Sequence, residues 1–470
     1  MVIASIDIQN GKVVQLRQGV ELVLQRDDAV GLAEEFNRYG EVAVIDLDAA
    51  TGAGENAGLV KSLLRKAECR VGGGIRTVEQ AKELISLGAR KVIIGSIAFR
   101  DPLKKGAGKE SGEFALNKTF LEALVKKIGR ERIVIAVDAR KGIENGDAYE
   151  ITVDGWKTLT GLPLAGTAAE AATYASELLF TCVDREGTMS GLDLAPVKLL
   201  CGTIAETRCE TRITAAGGVS TLEEIGTLAG LGCDVQLGMA LYTGKINLAD
   251  AFIRSLNWKK GVAADGPGGS LAGVTDGVVA GTAAEAAAEA AALLPLIAQS
   301  YDGQVLMTGF TDREALAESF KRGNLCFHSR TRGKLWMKGE NSGNTLKLLR
   351  LRADCDRDAL LATVDPAGPV CHTGSWSCFG VNRDYTWEYL QKVIENRFRS
   401  PAPGSYTATL DDELVRDKIM EEAEELCTAK DHDGKVWEAA DLLYFATVLL
   451  TKDGVTVTQI LDELERRHKK

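Results

Sequence analysis

The 470-residue chain is too long for one ordinary domain, and its 45% hydrophobic and 26% charged residues are normal globular usage, which excludes disordered, collagen-like and disulfide-scaffold classes. A net charge of -10 argues against broad nucleic-acid binding. The lack of a long apolar run argues against a membrane span, and the opening MVIASIDIQN lacks a signal-peptide pattern, so a cytoplasmic location is expected.

Residues 1–258 alternate β-rich runs with helical patterns: VAVIDLD (42–48), KVIIGS (91–96), RIVIAVD (132–138) and VQLGMAL (235–241). That alternation implies parallel βαβ units. The segment VGGGIRTVEQAKELISLGARKVIIGS (71–96) returns as AAGGVSTLEEIGTLAGLGCDVQLGM (215–239). Each copy has a glycine pair, a capping box (Thr77 to Gln80, Ser220 to Glu223), a helix and a strand ending in glycine. Asp7 and Asp138 each end an apolar strand, and two such halves predict an eight-stranded (β/α)8 TIM barrel. Residues 259–288, rich in Gly and Ala, read as a linker or as a docked Ala-rich helix. Residues 289–384 are expected to form a mixed α+β domain, and 385–470 an all-α bundle.

All four histidines, His328, His372, His432 and His468, lie in the last third, so the barrel must work without imidazole. Strand-end carboxylates are the natural acid and base: Asp7 and Asp138 can face each other across a barrel mouth, although any single such Asp can equally cap a loop. Gly73-Gly74 and Gly217-Gly218 precede helices, while Gly95-Ser96 and Gly238 follow strands. Their open N–H groups suit two phosphates, one per half, although plain turn chemistry would use the same residues.

The segments SIDIQNGKVVQL, VIDLDAA, VGGGIR, VIIGS, VDARKG, TCVDREGTMSG, AAGGVS and LGMALYTGKI resemble the phosphoribosylformimino-AICAR-phosphate (ProFAR) isomerase family across 1–255. The resemblance implies an Amadori aldose-to-ketose rearrangement with Asp7 as base, Asp138 as acid and Thr181 assisting the opened sugar. It also implies a lid Trp156 stacking on the substrate's carboxamide-imidazole and substrate contacts from the glycine loops and Arg76. Asn10, Met239 and the loop QGVELVLQRDD depart from the usual pattern. The rival readings are a barrel that also isomerises phosphoribosylanthranilate, and a scaffold without catalysis.

In ADCDRDALL, strand alternation would put Asp354, Asp356 and Asp358 on one face and Cys355 on the other. Three adjacent acids suit a hard cation such as Mg²⁺, and Cys355 with Cys371 and Cys378 of CHTGSWSC would suit zinc; buried inert thiols are the plainer alternative. LMTGFTDREAL, HSRTRGKLWMKGENSGN, DCDRDALL and CHTGSWSCFG resemble the phosphoribosyl-AMP cyclohydrolase family. That implies metal-assisted hydrolytic opening of the adenine ring, zinc on Cys355, Cys371 and Cys378, Mg²⁺ on the three aspartates, His372 in proton transfer, and a homodimer with zinc ligands from both subunits. His328 stands where many relatives have tyrosine and receives no catalytic role.

KIMEEAEEL carries Glu421, Glu422 and Glu425, and WEAAD carries Glu438 and Asp441 three apart on one helix face. A solvated acidic face is the simple reading, but the apolar run after WEAAD predicts that Asp441 is partly buried, as in a metal-holding bundle. The EExxE and ExxD pattern, with SYTATL upstream, resembles the phosphoribosyl-ATP pyrophosphohydrolase family, of MazG-like fold. It implies Mg²⁺ on the five acids, Lys418 near phosphate and participation in the homodimer. Together the resemblances imply three consecutive steps of histidine biosynthesis acting on small phosphoribosyl nucleotides, with Zn²⁺ and Mg²⁺, no organic cofactor, no nucleic acid and no membrane.

Overall fold

The computed structural model describes residues 1–100, 114–142, 149–263, 291–380 and 382–468. They divide into two compact units: Met1–Gln299 with Leu306–Val370, and Ser300–Val305 with Cys371–Lys470.

The first unit contains the barrel. Its eight parallel strands are β1 Val2–Gln9, β2 Val42–Asp46, β3 Cys69–Gly72, β4 Lys91–Ile94, β5 Ile133–Ala136, β6 Glu177–Thr181, β7 Arg212–Ala216 and β8 Asp234–Leu237. They pair in chain order, and β8 returns to β1 with Val2 opposite Val235, so no edge remains. Inside, Ile93, Val134, Leu179 and Ala216 form an apolar layer. Outside, the helices bury one stripe each: in Val78–Ser86, Ala81 and Ile85 are buried while Val78 and Leu84 pack on the core beside them.

Three local expectations change. Asp7 does not end its strand; β1 runs on to Gln9 and pairs with a hairpin, Lys12–Arg17 and Glu21–Arg26, built from the segment that looks atypical. The second capping box is Thr221 with Glu224, one residue later than expected, whereas Thr77 with Gln80 stands. Both threonines accept from the backbone N–H three residues on, which only the true N-cap position can do. The segment after the barrel is ordered from its start: Trp258–Lys260 form a 3₁₀ turn, and Val262–Ala263 pair antiparallel with Ala292–Ser300. Positions 264–288 of the expected linker lie outside the described residues.

The mixed sheet has the order Lys334–Met337, Cys326–Ser329, Val305–Thr311, Ala292–Ser300, Leu360–Pro366, Leu346–Ala353. Helix Arg313–Arg322 packs beside it and meets the barrel: Phe320 lies against Tyr39 and Phe252, with ring centroids 4.5 and 5.6 Å apart. Among the described residues, the second unit is helical over Trp387–Arg399, Tyr406–Thr409, Asp412–Thr428, His432–Lys452 and Val457–His468. Ile394, Leu410, Val415, Phe445 and Val448 form its core. Gln391, buried at 7% exposure, donates to Val455 O at 2.8 Å and accepts from Val457 N at 2.8 Å, which fixes the turn between the last two helices.

At the strand starts, opposite the mouth, Arg70 and Glu177 are fully buried and paired. Glu41 also binds Arg70, while Lys91 reaches Glu177 at 2.7 Å and Thr214 donates to it. The neighbouring cations hold the Glu177 carboxyl down at about 2 against the opposing effect of burial. Removing one partner strands a buried charge, so Glu177→Ala should cost about 3–5 kcal/mol. Replacing both Arg70 and Glu177 by apolar residues should recover most of that, which differential scanning calorimetry of the whole chain would show as a restored barrel transition.

Candidate active sites

At the barrel mouth a cavity of about 390 Å³ is lined by Asp7, Asp138, Thr181 and Trp156, by both glycine pairs, and by Arg76, Gly95, Ser96 and Gly238. The candidate residues from both halves of the repeat therefore share one space. Asp7 accepts from Ser5 Oγ at 2.6 Å, and burial pushes its carboxyl up to about 6. Burial raises Asp138 as well, against the opposing hydrogen bonds of Thr181 and of Trp156, whose Nε1 donates at 2.9 Å. Thr181 itself is buried at the end of β6.

Besides Asp154, which also lines this cavity and is paired with Arg100, Glu186 is a further acid in it that motif reading missed. Burial, then the charges of Asp7 and Asp138, push it up to about 7. Its position five residues past the end of β6 was the available signal, since barrel chemistry gathers on such loops. The loop is held by Gln18 N donating to Glu186 O at 3.2 Å, so the hairpin and the Glu186 loop close together over one side.

The glycine pairs answer to geometry as well as to any ligand. Gly73 (φ +98°) and Gly217 (φ +94°) adopt left-handed backbone, and a Cβ on either would strike a backbone carbonyl, Asp46 O at 2.1 Å or Cys182 O at 2.7 Å. That packing leaves the loops against the cavity. Arg76 spends its guanidinium on Ala49 O and Ala50 O at 3.1 and 3.0 Å, so it braces this loop.

Asp354, Asp356 and Asp358 do come together, but not by strand alternation: the strand ends at Ala353 and the acids lie on a turn. Asp354 accepts from Asp358 N and Ala359 N at 3.0 and 3.2 Å, and Arg357 takes φ +66°. Carboxylate oxygens from all three acids lie within 4.8 Å of one another. Cys355, exposed, belongs to the first unit, whereas Cys371 and Cys378 belong to the second. Thr373 Oγ1 donates to Cys371 Sγ at 3.2 Å and, with neighbouring backbone and Cys378, lowers that thiol. His372 is exposed, its Nδ1 3.8 Å from Cys371 Sγ. His328 bonds Asp312 at 2.6 Å.

On the helices Asp412–Thr428 and His432–Lys452, Glu422, Glu438 and Asp441 gather within 4.8 Å, and Asp441 is half-buried. Burial and the neighbouring acids raise Glu422 and Glu438, the latter next to Glu425. Glu421 is drawn outward to Lys418 at 2.7 Å, so it is not one of the gathered acids, and Lys418 is spent on carboxylates.

Residues 1–247 match the family model described as histidine biosynthesis protein, more than half of the chain. The chain belongs to that family. Residues 307–380 match phosphoribosyl-AMP cyclohydrolase, and 388–468 phosphoribosyl-ATP pyrophosphohydrolase. The C-terminal part is 42% identical over 192 residues to the histidine biosynthesis bifunctional protein HisIE of Caldanaerobacter subterraneus, covering 38% of this chain and 94% of the relative. The HisIE protein of Bacillus subtilis is 40% identical over 192 residues, covering 37% and 91%. The chain is thus a multifunctional enzyme of histidine biosynthesis with isomerase, cyclohydrolase and pyrophosphohydrolase activities, the last two in metal-using families. No described helix is long and apolar enough to cross a membrane.

A carboxyl raised by folding binds its proton more tightly in the folded state, so stability is lost as pH rises from its ordinary value to its folded one. For Glu186 that window is 4.5 to about 7. Glu186→Gln should therefore raise stability by about 1–3 kcal/mol at pH 8 and leave it unchanged below the window. Thermal unfolding of the whole chain at both pH values checks this.

Proposed function

We propose that the chain carries out three consecutive steps: phosphoribosyl-ATP to phosphoribosyl-AMP and pyrophosphate, hydrolytic opening of the adenine ring to ProFAR, and Amadori isomerisation of that aldose. The observation that carries this reading is that the three family matches, in one chain, fall on three separate carboxylate sites.

In the barrel, Asp7 takes the proton from the aminoaldose carbon and Asp138 protonates the opening ring oxygen. A carboxyl pushed up to about 6 is a stronger base than an ordinary one, and the raised Asp138 keeps its proton more readily. Thr181, beside Asp138, orients the opened sugar, and Trp156 leaves its hydrogen bond to stack on the substrate's carboxamide-imidazole. The loops at Gly73, Gly74, Gly95 and Ser96 hold one phosphate, and those at Gly217, Gly218 and Gly238 the other.

For ring opening, Cys355, Cys371 and Cys378 would hold zinc and Asp354, Asp356 and Asp358 magnesium; the lowered Cys371 thiol and the converging aspartates fit those roles. The metals, when bound, supply an activated water and phosphate neutralisation. His372 moves the proton from beside Cys371. For pyrophosphate release, Glu422, Glu438 and Asp441, with Glu425 beside them, would hold magnesium, and Glu421 keeps Lys418 in place. The chain forms a homodimer through the cyclohydrolase and pyrophosphohydrolase parts; for the latter, the support is the exposure of Met420, Val436, Trp437 and Leu443 on its two metal-site helices.

Whole protein fed with phosphoribosyl-ATP and magnesium should release pyrophosphate and form the ketose product, and EDTA should stop the chain before pyrophosphate. Supplied directly with ProFAR, the EDTA-treated protein should still isomerise it. Asp7→Asn should lower that step alone by at least about a hundredfold. Conversion halted by EDTA at the isomerisation step, or a near-normal Asp7→Asn rate, would refute the assignment.

A further inference from the structure

The turn carrying Asp354, Asp356 and Asp358 is held from the barrel side. Asn257 N donates to Arg357 O at 2.9 Å, and Asn257 Nδ2 to Asp356 O at 3.2 Å. The Arg357 side chain reaches the starting end of β8, donating to Cys233 O at 3.0 Å and to Asp234 Oδ1 at 2.9 Å. Asp234 also pairs with the Met1 ammonium, so the anchor ends on the strand pair that closes the barrel. Arg357 stands at φ +66°, backbone that favours glycine, and its side chain makes contacts to β8 that a glycine there would lack. Lys260 Nζ lies 2.7 Å from Asp356 Oδ2 and 4.0 Å from Asp358 Oδ2, where a cation serving both acids would sit. Lys260 is fixed by the 3₁₀ turn whose Trp258 is buried and stacked under Arg313 at 4.5 Å.

We propose that the barrel's underside is a working part of the cyclohydrolase metal turn: Arg357 anchors the turn in its chelating shape, and Lys260 is a resident counter-ion that a divalent cation displaces. Both are positioning residues, and the inference rests on the divalent-metal reading of the three aspartates. It gives the fusion of barrel and cyclohydrolase a physical consequence, because one domain then sets the metal affinity of the other.

The two roles predict opposite shifts. Mn²⁺, a hard oxygen-seeking probe, would be titrated by electron paramagnetic resonance into the full chain. A Glu422→Gln, Glu438→Gln, Asp441→Asn background would remove the helical site. Lys260→Met should tighten binding three- to tenfold, whereas a merely structural lysine would leave it weaker or unchanged. Arg357→Gly, which suits the backbone, should weaken binding by a similar factor. Binding unaltered by both substitutions, or weakened by Lys260→Met, overturns the proposal while the metal reading stands. No Mn²⁺ binding to the background protein, with or without Lys260, overturns the metal reading and this proposal with it.

Discussion

Carboxylates crowded together with too few cations are the constraint on which the functional parts depend. Asp7, Asp138 and Glu186 share one cavity, and burial raises all three. Of Asp354, Asp356 and Asp358, the last two meet Lys260, and of Glu422, Glu438 and Asp441 only Glu422 meets Lys418, on its own helix. Each cluster holds a carboxyl that folding raises, Asp7, Asp358 and Glu422 among them, and is sustained by its surroundings: a closed barrel, a doubly anchored turn, a packed helix pair. In the proposed function, a substrate proton or a metal ion relieves this crowding.

The two ends of the barrel divide this burden. At the strand starts every principal acid has a cation: Glu41 and Glu177 meet Arg70, Glu68 meets Arg350, Asp234 meets Arg357. That end carries stability, and through Glu68 and Asp234 it carries the mixed sheet as well. At the mouth, Asp7, Asp138 and Glu186 have no cationic hydrogen-bond partner among the described residues, and burial raises all three. The proposed function thus separates stability from chemistry along the barrel axis, as in barrel enzymes generally.

The barrel was legible in the sequence because its repeat carries period, capping and turn chemistry together; the glycine pairs at 73–74 and 217–218 are needed by backbone geometry alone. The cap falls at Thr221, one residue on, because Ser220 and Thr221 are adjacent hydroxyl residues of the same capping chemistry and it is the Thr221 hydroxyl that accepts from Glu224 N. Glu186 was hidden because its part comes from convergence in space with two distant aspartates. Strand alternation misdescribed Asp354–Asp358, since an arginine at φ +66° carries no glycine-like signal of a turn. Nor could spacing show that Glu421 faces Lys418 while Glu422 turns inward.

Carboxyl ionisation at the barrel mouth tests the central claim most directly. Infrared difference spectra across pH, taken on the whole protein and on its Asp7→Asn and Glu186→Gln variants, resolve the protonated C=O bands of these two residues. Asp7 is expected to titrate near 6 and Glu186 near 7, with the Glu186 band moving toward the ordinary range when Asp7 is replaced by asparagine. Both groups titrating near 4, each indifferent to the other, would contradict it.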